Sequence, residues 1–340
     1  MRAPEFWSAP PGFAAGLLAP AGVAWAAAAA LRRGLARPYR APVPVICVGN
    51  LVAGGSGKTP VVLSLAARLR QRGTDVQVVT RGYRGRLAGP VSVDPQVHDA
   101  SAVGDEALLL AAVAPTWVAR DRPAGIRAAC EAGAELILLD DGLQNPGFAK
   151  NLSLLAVDAR YGFGNGRVIP AGPLREPIEA GLGRSDAVVL IGDGPAPAEL
   201  RHSALPLLPA QLAPVAGERF AGRRVVAFAG IGRPAKFFAT LHALGAAVVA
   251  AKPFPDHHRF SAPELAALRR DADAADAMLV TTAKDWVRLP AAERDGIEIL
   301  AVELRWREPA ALDGLLAVFG RQRERGYASF ETPANAGSSG

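Results

Sequence analysis

The chain has 340 residues, 50% hydrophobic and 21% charged, with a formal net charge of +6. This balance excludes a disordered chain and a disulfide-stapled mini-domain, and the length fits two domains with a sizeable core. Cys47 and Cys130 lack metal-ligand spacing and read as core thiols of a reducing compartment. No aromatic-interleaved basic motif points to nucleic acid, and no obligate protein partner is evident.

Residues 12–31 (GFAAGLLAPAGVAWAAAAAL) carry no charged side chain and run into Arg32, Arg33, Arg37 and Arg40. About 20 such residues suffice to cross a bilayer as a helix. A signal peptide would place its positive charge before the apolar run, whereas here the arginines follow it. Pro20 and the many alanines weaken a spanning helix. A spanning helix, an interfacial anchor and a buried core helix all remain open. The expectation is membrane attachment through residues 1–40, with the catalytic body on the cytoplasmic side.

Strands and helices then alternate. Apolar or β-branched runs at 43–48, 76–80, 116–119, 136–139, 152–157 and 187–191 read as strands, with helical spacing after 58, at 107–114 and at 124–132. This pattern predicts an α/β fold with a mostly parallel sheet and helices on both faces. Residues 193–215, rich in Pro, Ala and Gly, read as a linker. A second alternation follows, with strands at 225–229, 246–250, 278–281 and 297–302 and helices at 234–244 and 262–272. The predicted organisation is an N-terminal membrane-associated helix (1–40), a P-loop core (41–215), a smaller α/β domain (216–328) and a disordered tail (329–340).

The segment AGGSGKTP, from Ala53 to Pro60, follows a predicted strand and opens a predicted helix, the context a phosphate-binding loop requires. Gly54, Gly55 and Gly57 let backbone N–H groups face phosphates, and the helix N-terminus adds partial positive charge. Lys58 suits the β- and γ-phosphates, and the Thr59 hydroxyl suits Mg²⁺. Val52 stands where the strict pattern has its first glycine. The nucleotide-binding set is therefore Val52, Ala53, Gly54, Gly55, Ser56, Gly57, Lys58 and Thr59. A plain strand–helix turn competes with this reading and is disfavoured by the intact GGSGKT.

Residues 135–141 (ELILLDD) form an apolar strand ending in Asp140 and Asp141. Such a carboxylate orders Mg²⁺ beside a P-loop; alone, it reads equally well as a turn or cap aspartate. Asp105 precedes an apolar helix, so local sequence favours a capping role. His257, between Asp256 and His258, reads locally as a loop histidine.

The ordered motifs GNLVAGGSGKTP, RGYRGR, VGDEALLL, DDGLQN, GPLREP, PDHHRF and TTAKDWVRL span most of the chain. Together they resemble the tetraacyldisaccharide 4′-kinases of lipid A synthesis. The resemblance implies a Gram-negative inner-membrane enzyme that moves the γ-phosphate of ATP to the 4′-hydroxyl of a tetraacyl glucosamine disaccharide 1-phosphate. It implies ATP and Mg²⁺ as cofactors, a lipid disaccharide as substrate and a cleft between two α/β domains. It assigns Asp105 as catalytic base paired with His257, Lys58 to the phosphates, and Thr59, Asp140, Asp141 and Glu176 to the metal. Arg120, Asn145 and Arg175 are candidates for substrate contact. Many members carry His where this chain has Asn145, which can hydrogen-bond a sugar or phosphate but cannot be charged.

Two other classes compete. A nucleotide-dependent switch would carry Asn-Lys-x-Asp for guanine, but Ala283-Lys284-Asp285 lacks the spacer. A scaffold with a vestigial P-loop fits poorly with intact Lys58 and Thr59. A soluble small-molecule kinase follows if residues 12–31 are core.

Overall fold

The computed structural model describes residues 4–54 and 57–320, so Gly55, Ser56 and the expected disordered tail lie outside the described residues. The chain begins with α1 (Phe13–Leu35), a helix of 23 residues that runs through Pro20. Its only buried residues are Ala15 and Gly22, whereas Phe13, Leu17, Val23, Trp25, Leu31 and Leu35 are exposed. A helix with that much apolar surface in water is not a core helix, which removes one of the open readings of this segment.

The body then follows in chain order: β1 (Val45–Gly49), α2 (Lys58–Gln71), β2 (Val76–Thr80), β3 (Val91–Ser92), α3 (Ala100–Val103), α4 (Asp105–Ala111) and β4 (Thr116–Val118). Next come α5 (Arg122–Glu131), β5 (Leu136–Asp140), β6 (Leu152–Asp158), α6 (Ile178–Leu182), β7 (Ala187–Ile191) and β8 (Leu207–Pro214). The later part holds β9 (Arg224–Ala229), α7 (Pro234–Ala243), β10 (Ala247–Pro253), α8 (Ala262–Ala274), β11 (Met278–Thr282) and α9 (Ala283–Trp286). It closes with β12 (Ile297–Leu300), β13 (Val302–Trp306) and α10 (Pro309–Gly320).

Nine strands form one sheet in the order β13-β8-β7-β6-β1-β5-β2-β4-β3, parallel except for the β3–β4 and β8–β13 pairs at its edges. Its central strands are apolar on both faces because helices cover both. Ile46, Val48, Leu136 and Leu138 pack with Val62, Leu65 and Leu69 of α2. Their alternating neighbours Val45, Cys47, Ile137 and Leu139 pack with Ile126 and Ala129 of α5. The smaller sheet, β10-β9-β11-β12, is wholly parallel, with α7 on one face and α8 on the other. The mixed α/β class with a mostly parallel sheet is the one read from the sequence.

Two segments differ from their sequence reading: the expected linker at 193–215 and the C-terminal end of the expected small domain. The segment expected to be a linker contains β8, which pairs with β7 through Leu207, Leu208, Pro209 and Ala210. Pro209 donates no hydrogen bond, yet its carbonyl accepts one from Arg307 N at 2.9 Å, so the proline is absorbed into the ladder. The expected strand at 297–302 is two strands: β12 stays in the small sheet, and β13 returns to pair with β8. α10 follows it back, placing Leu312 and Leu316 in the core beneath α2. Asp313 meets Arg68 Nε at 2.6 Å, and Trp306 Nε1 donates to Ser64 Oγ at 2.8 Å.

In register, Val48 of β1 lies beside Asp140 of β5, so the loop after β1 and the acids after β5 emerge together at one sheet edge. Leu138, fully buried in the middle of β5, holds that register. Leu138→Ala is expected to cost about 2–5 kcal/mol, read as a shifted urea-unfolding midpoint by circular dichroism; an unshifted midpoint would mean that α2 collapses into the cavity.

Candidate functional site

The loop after β1 is held from both ends. Ala53 N donates to Pro173 O at 2.8 Å, and Val52 forms an antiparallel bridge with Leu174. Val52 is thus buried in a strand-like contact, which explains the absence of glycine there: the loop is braced by residues 173–174 rather than folded on itself. At the far end Gly57 adopts φ +80° as N-cap of α2, and Thr59 is buried in the first turn. Lys58 Nζ donates to Asn50 Oδ1 at 3.1 Å and lies 3.7 Å from Asp141 Oδ2.

Asp140 and Asp141 differ sharply in environment. Asp140 is buried, with Oδ2 3.4 Å from Thr80 Oγ1 and Oδ1 without a hydrogen-bond partner. Burial, and then the charge of Glu106, push its carboxyl well above the usual range. Asp141 sits at φ +60°, with Oδ1 accepting from Arg175 Nη1 at 2.7 Å. Burial alone would raise its carboxyl, but Lys58 and Arg175 reverse this and hold it low. Arg122 is buried beneath this turn and donates to the carbonyls of Ala119 (2.9 Å) and Asp141 (3.1 Å).

Glu176 is fully buried. Its Oε1 accepts from Gln144 Nε2 at 3.0 Å, and its Oε2 meets Arg184 and, at 3.4 Å, Arg33 of α1. Gln144 also donates to the Asn50 carbonyl at 2.9 Å. Arg120 and Asn145 are engaged in loops: Arg120 donates to the carbonyls of Gly85 and Arg86, and Asn145 Oδ1 accepts from Gly147 N at 2.8 Å. The Asn145 carbonyl also accepts from Lys150 Nζ at 2.8 Å.

The described residues contain no group of three or more His, Cys, Asp or Glu that could hold a metal alone. The orphaned, buried Asp140 Oδ1 does offer one hard oxygen beside a phosphate-type loop. That fits an ion which takes its remaining ligands from nucleotide phosphates and water, as Mg²⁺ does.

A second cluster surrounds Asp105, and it corrects the simple capping reading. The N-cap of α4 is Gly104 at φ +89°, and Asp105 is the first helical residue. Its Oδ1 accepts from Glu106 N at 2.9 Å, while Oδ2 faces the small sheet. There it meets His257 Nδ1 at 3.1 Å and Arg288 through Nε at 2.9 Å and through Nη2. His257 itself has φ +60° and packs edge-on against Tyr83, with centroids 5.8 Å apart. Lys284 donates to Glu106 at 2.7 Å. Burial would raise the Asp105 carboxyl; the hydrogen bond to His257 and the charges of Arg288 and Lys284 outweigh it and hold the group well below the usual carboxylate range.

The structure thus brings together Lys58, Asp140, Asp141, Glu176 and Arg175 in one cluster and Asp105 and His257 in another. Glu106 borders both, since its charge reaches Asp140 while its carboxylate binds Lys284. Arg288 was not singled out from sequence, and Lys284 and Asp285 were weighed only as an incomplete guanine motif, although the TTAKDWVRL motif contains all three.

Gly104 admits no side chain: an added Cβ would lie 2.6 Å from the Tyr83 carbonyl oxygen, at a positive φ. Gly104→Ala is expected to lower stability by about 1–3 kcal/mol in urea unfolding. An unchanged midpoint would mean that α4 can shift without strain.

The chain resembles known proteins over nearly its whole length. The family model for LpxK, tetraacyldisaccharide-1-P 4′-kinase, matches residues 14–319. A curated relative from Rhodospirillum centenum named tetraacyldisaccharide 4′-kinase is 60% identical over 324 residues, covering 93% of this chain and 96% of its own. Another of the same name from Paramagnetospirillum magneticum is 53% identical over 320 residues, covering 93% and 98%. Among solved structures, the "apo" form of LpxK from Aquifex aeolicus in complex with ATP superposes with a TM-score of 0.74 at 27% identity, covering 90% of this chain and 99% of that one. With this fold, this loop and these relatives, the chain belongs to the tetraacyldisaccharide-1-P 4′-kinase family.

Proposed function

We infer that this protein is an ATP-dependent kinase of lipid A biosynthesis that phosphorylates the 4′-hydroxyl of a tetraacyl glucosamine disaccharide 1-phosphate, with Asp105 as the base. The observation that carries the assignment of the base is the Asp105 carboxylate, kept ionised at the junction of the two sheets with its Oδ1 only singly hydrogen-bonded.

In this reading Val52, Ala53, Gly54, Gly55, Ser56, Gly57, Lys58 and Thr59 hold the triphosphate, and Lys58 neutralises charge on the transferring group. Thr59, Asp140 and Asp141 would hold Mg²⁺, which when bound offsets charge on the β- and γ-phosphates. Glu176, which the family resemblance put at the metal, has both carboxylate oxygens engaged by Gln144, Arg184 and Arg33, so in this reading it acts at one remove by orienting Gln144. The sugar O4′ attacks the γ-phosphorus, the bond to the β-bridging oxygen breaks, and ADP leaves. The hydroxyl proton passes to Asp105. Transfer is loose, with little bonding to the incoming oxygen, so a weakly basic carboxylate suffices for a late proton. His257 fixes the orientation of Asp105. Arg175, beside Asp141, is placed to meet phosphate, whereas Arg120 and Asn145 would shape substrate loops through the backbone groups they bind.

We place the protein at the cytoplasmic face of the inner membrane, held by α1. The 23-residue helix would be about 35 Å long at 1.5 Å per residue, enough to span. Its middle, however, touches the body: Trp25 Nε1 donates to Arg175 O at 3.2 Å, and Gly22 packs near Val168 O. A helix whose midpoint docks on a polar globular body suits the interface better than the bilayer centre. Arg32, Arg37 and Arg40 would then meet anionic head groups.

The test is purified protein in detergent with radiolabelled ATP, Mg²⁺ and the tetraacyl disaccharide 1-phosphate. Lipid-dependent label transfer is expected, abolished in Lys58→Ala; lipid-independent hydrolysis alone would favour a nucleotide switch. Asp105→Asn should lower kcat by about 10²–10⁴-fold while the ATP KM stays within about threefold. Equal loss of both would reduce Asp105 to a structural group. For the anchor, Leu17→Asp with Leu31→Asp should weaken co-sedimentation with anionic vesicles by about tenfold or more. Undiminished binding would place the membrane contact elsewhere.

A further inference from the structure

Arg288 follows α9 in the small sheet's half of the molecule, and its side chain is only 5% exposed. Each nitrogen of its guanidinium donates to a functional or buried neighbour. Nε (2.9 Å) and Nη2 both reach Asp105 Oδ2, and Nη2 also lies 3.3 Å from His257 Nδ1. Nη1 donates to Asp285 Oδ1 at 2.9 Å and to the Gly230 carbonyl at 2.7 Å. Asp285 is itself fully buried and fixed by Thr282 Oγ1 at 2.7 Å and Gly230 N at 3.1 Å. One planar fork therefore connects the proposed base to a rigid buried framework in the other sheet.

We propose that Arg288 is a positioning residue for phosphoryl transfer: it locks Asp105 Oδ2 and leaves Oδ1 as the atom that accepts the sugar proton. The proposal rests on the reading of Asp105 as base. A carboxylate oxygen has two acceptor directions, and His257 and Arg288 occupy those of Oδ2. Oδ1 holds only the Glu106 amide. A lysine could supply the charge but not the fork, because it lacks the planar pair of donors.

The groups facing Asp105 set its protonation. His257, Arg288 and Lys284 lie on the small-sheet side as donors or cations, Glu106 and Asp285 are the nearby anions, and Asp256 stands behind His257 with Oδ2 3.7 Å from Nε2. Loss of Arg288 removes a stabilising charge from a buried carboxylate, so its pKa must rise. The ionised base is then lost at a higher pH on acidification, and the acid limb of kcat moves up.

The experiment measures kcat and ATP KM against pH for the full-length wild type, Arg288→Gln, Arg288→Lys and Asp105→Asn in the lipid assay. Arg288→Gln should move the acid limb to higher pH, with the ATP KM within about threefold of wild type. Arg288→Lys should restore the limb but leave kcat about tenfold to a hundredfold down at its plateau, because the fork is gone. A Gln variant whose profile is merely scaled down at every pH would overturn the proposal. Should that variant fail to fold, a Lys variant with wild-type kcat would do the same. The parallel Asp105→Asn enzyme separates the two ideas: if it keeps full kcat, the base assignment itself fails, whereas an inactive Asp105→Asn beside an unmoved Arg288→Gln limb sinks only the role of Arg288.

Discussion

A buried carboxylate needs compensating charge, and Asp105 can obtain it only from the other sheet. Its own segment supplies one backbone amide, from Glu106. The cations and donors come from His257, Lys284 and Arg288, which lie more than 150 residues further along the chain. Without them the carboxyl would protonate, or its burial would cost more than the fold could offset. Placing this carboxylate at the junction of the two sheets therefore binds those sheets to each other. Arg233 against Asp158 and Arg84 against the Asp256 carbonyl add exposed contacts across the same junction, each worth little alone.

The elements that were legible in the sequence are those whose reasons are local. Val76–Thr80 and Ala187–Ile191 are short apolar runs that a parallel sheet covers on both faces, and their observed bounds match the reading. The glycine-rich loop and the acid strand end were legible because phosphate and metal chemistry demands particular residues at particular strand ends. What escaped was the tertiary partnership. β8 contains Pro209 and Pro214 and looked like a linker, and its reason for being a strand lies in β7 and β13. The return of β13 and α10 to the large sheet leaves no local signature, since Leu312 and Leu316 would suit any amphipathic helix. Arg122 and Arg288 were hidden for the same reason. An arginine reads as surface until its buried acceptors are known, and those acceptors are carbonyls and carboxylates from distant segments.

The loop around Val52 shows how a departure from a pattern can carry structural information. A glycine there would let the loop curl over phosphate without help. Valine makes the curl depend on residues 173–174, which reach in as an antiparallel neighbour. The next two residues, Arg175 and Glu176, then face Asp141 and Gln144. One short segment thus supports the nucleotide loop and the acid strand end together. The same economy puts Arg122 beneath Asp141, where its donors steady a left-handed turn that a non-glycine residue would otherwise resist.

That segment also touches α1, through Trp25 on the Arg175 carbonyl and Arg33 on Glu176. Where α1 marks the level of the bilayer surface, the height of the reacting centre above the lipid is set by adjacent residues of one stretch of backbone, not by a flexible tether. On that placement an acylated sugar would be selected by reach: its hydroxyl would have to project a fixed distance beyond its chains while those chains stay in the membrane. With α1 at the interface, as proposed, the helix would act as a ruler, measuring the substrate along the bilayer normal before any side chain reads its chemistry.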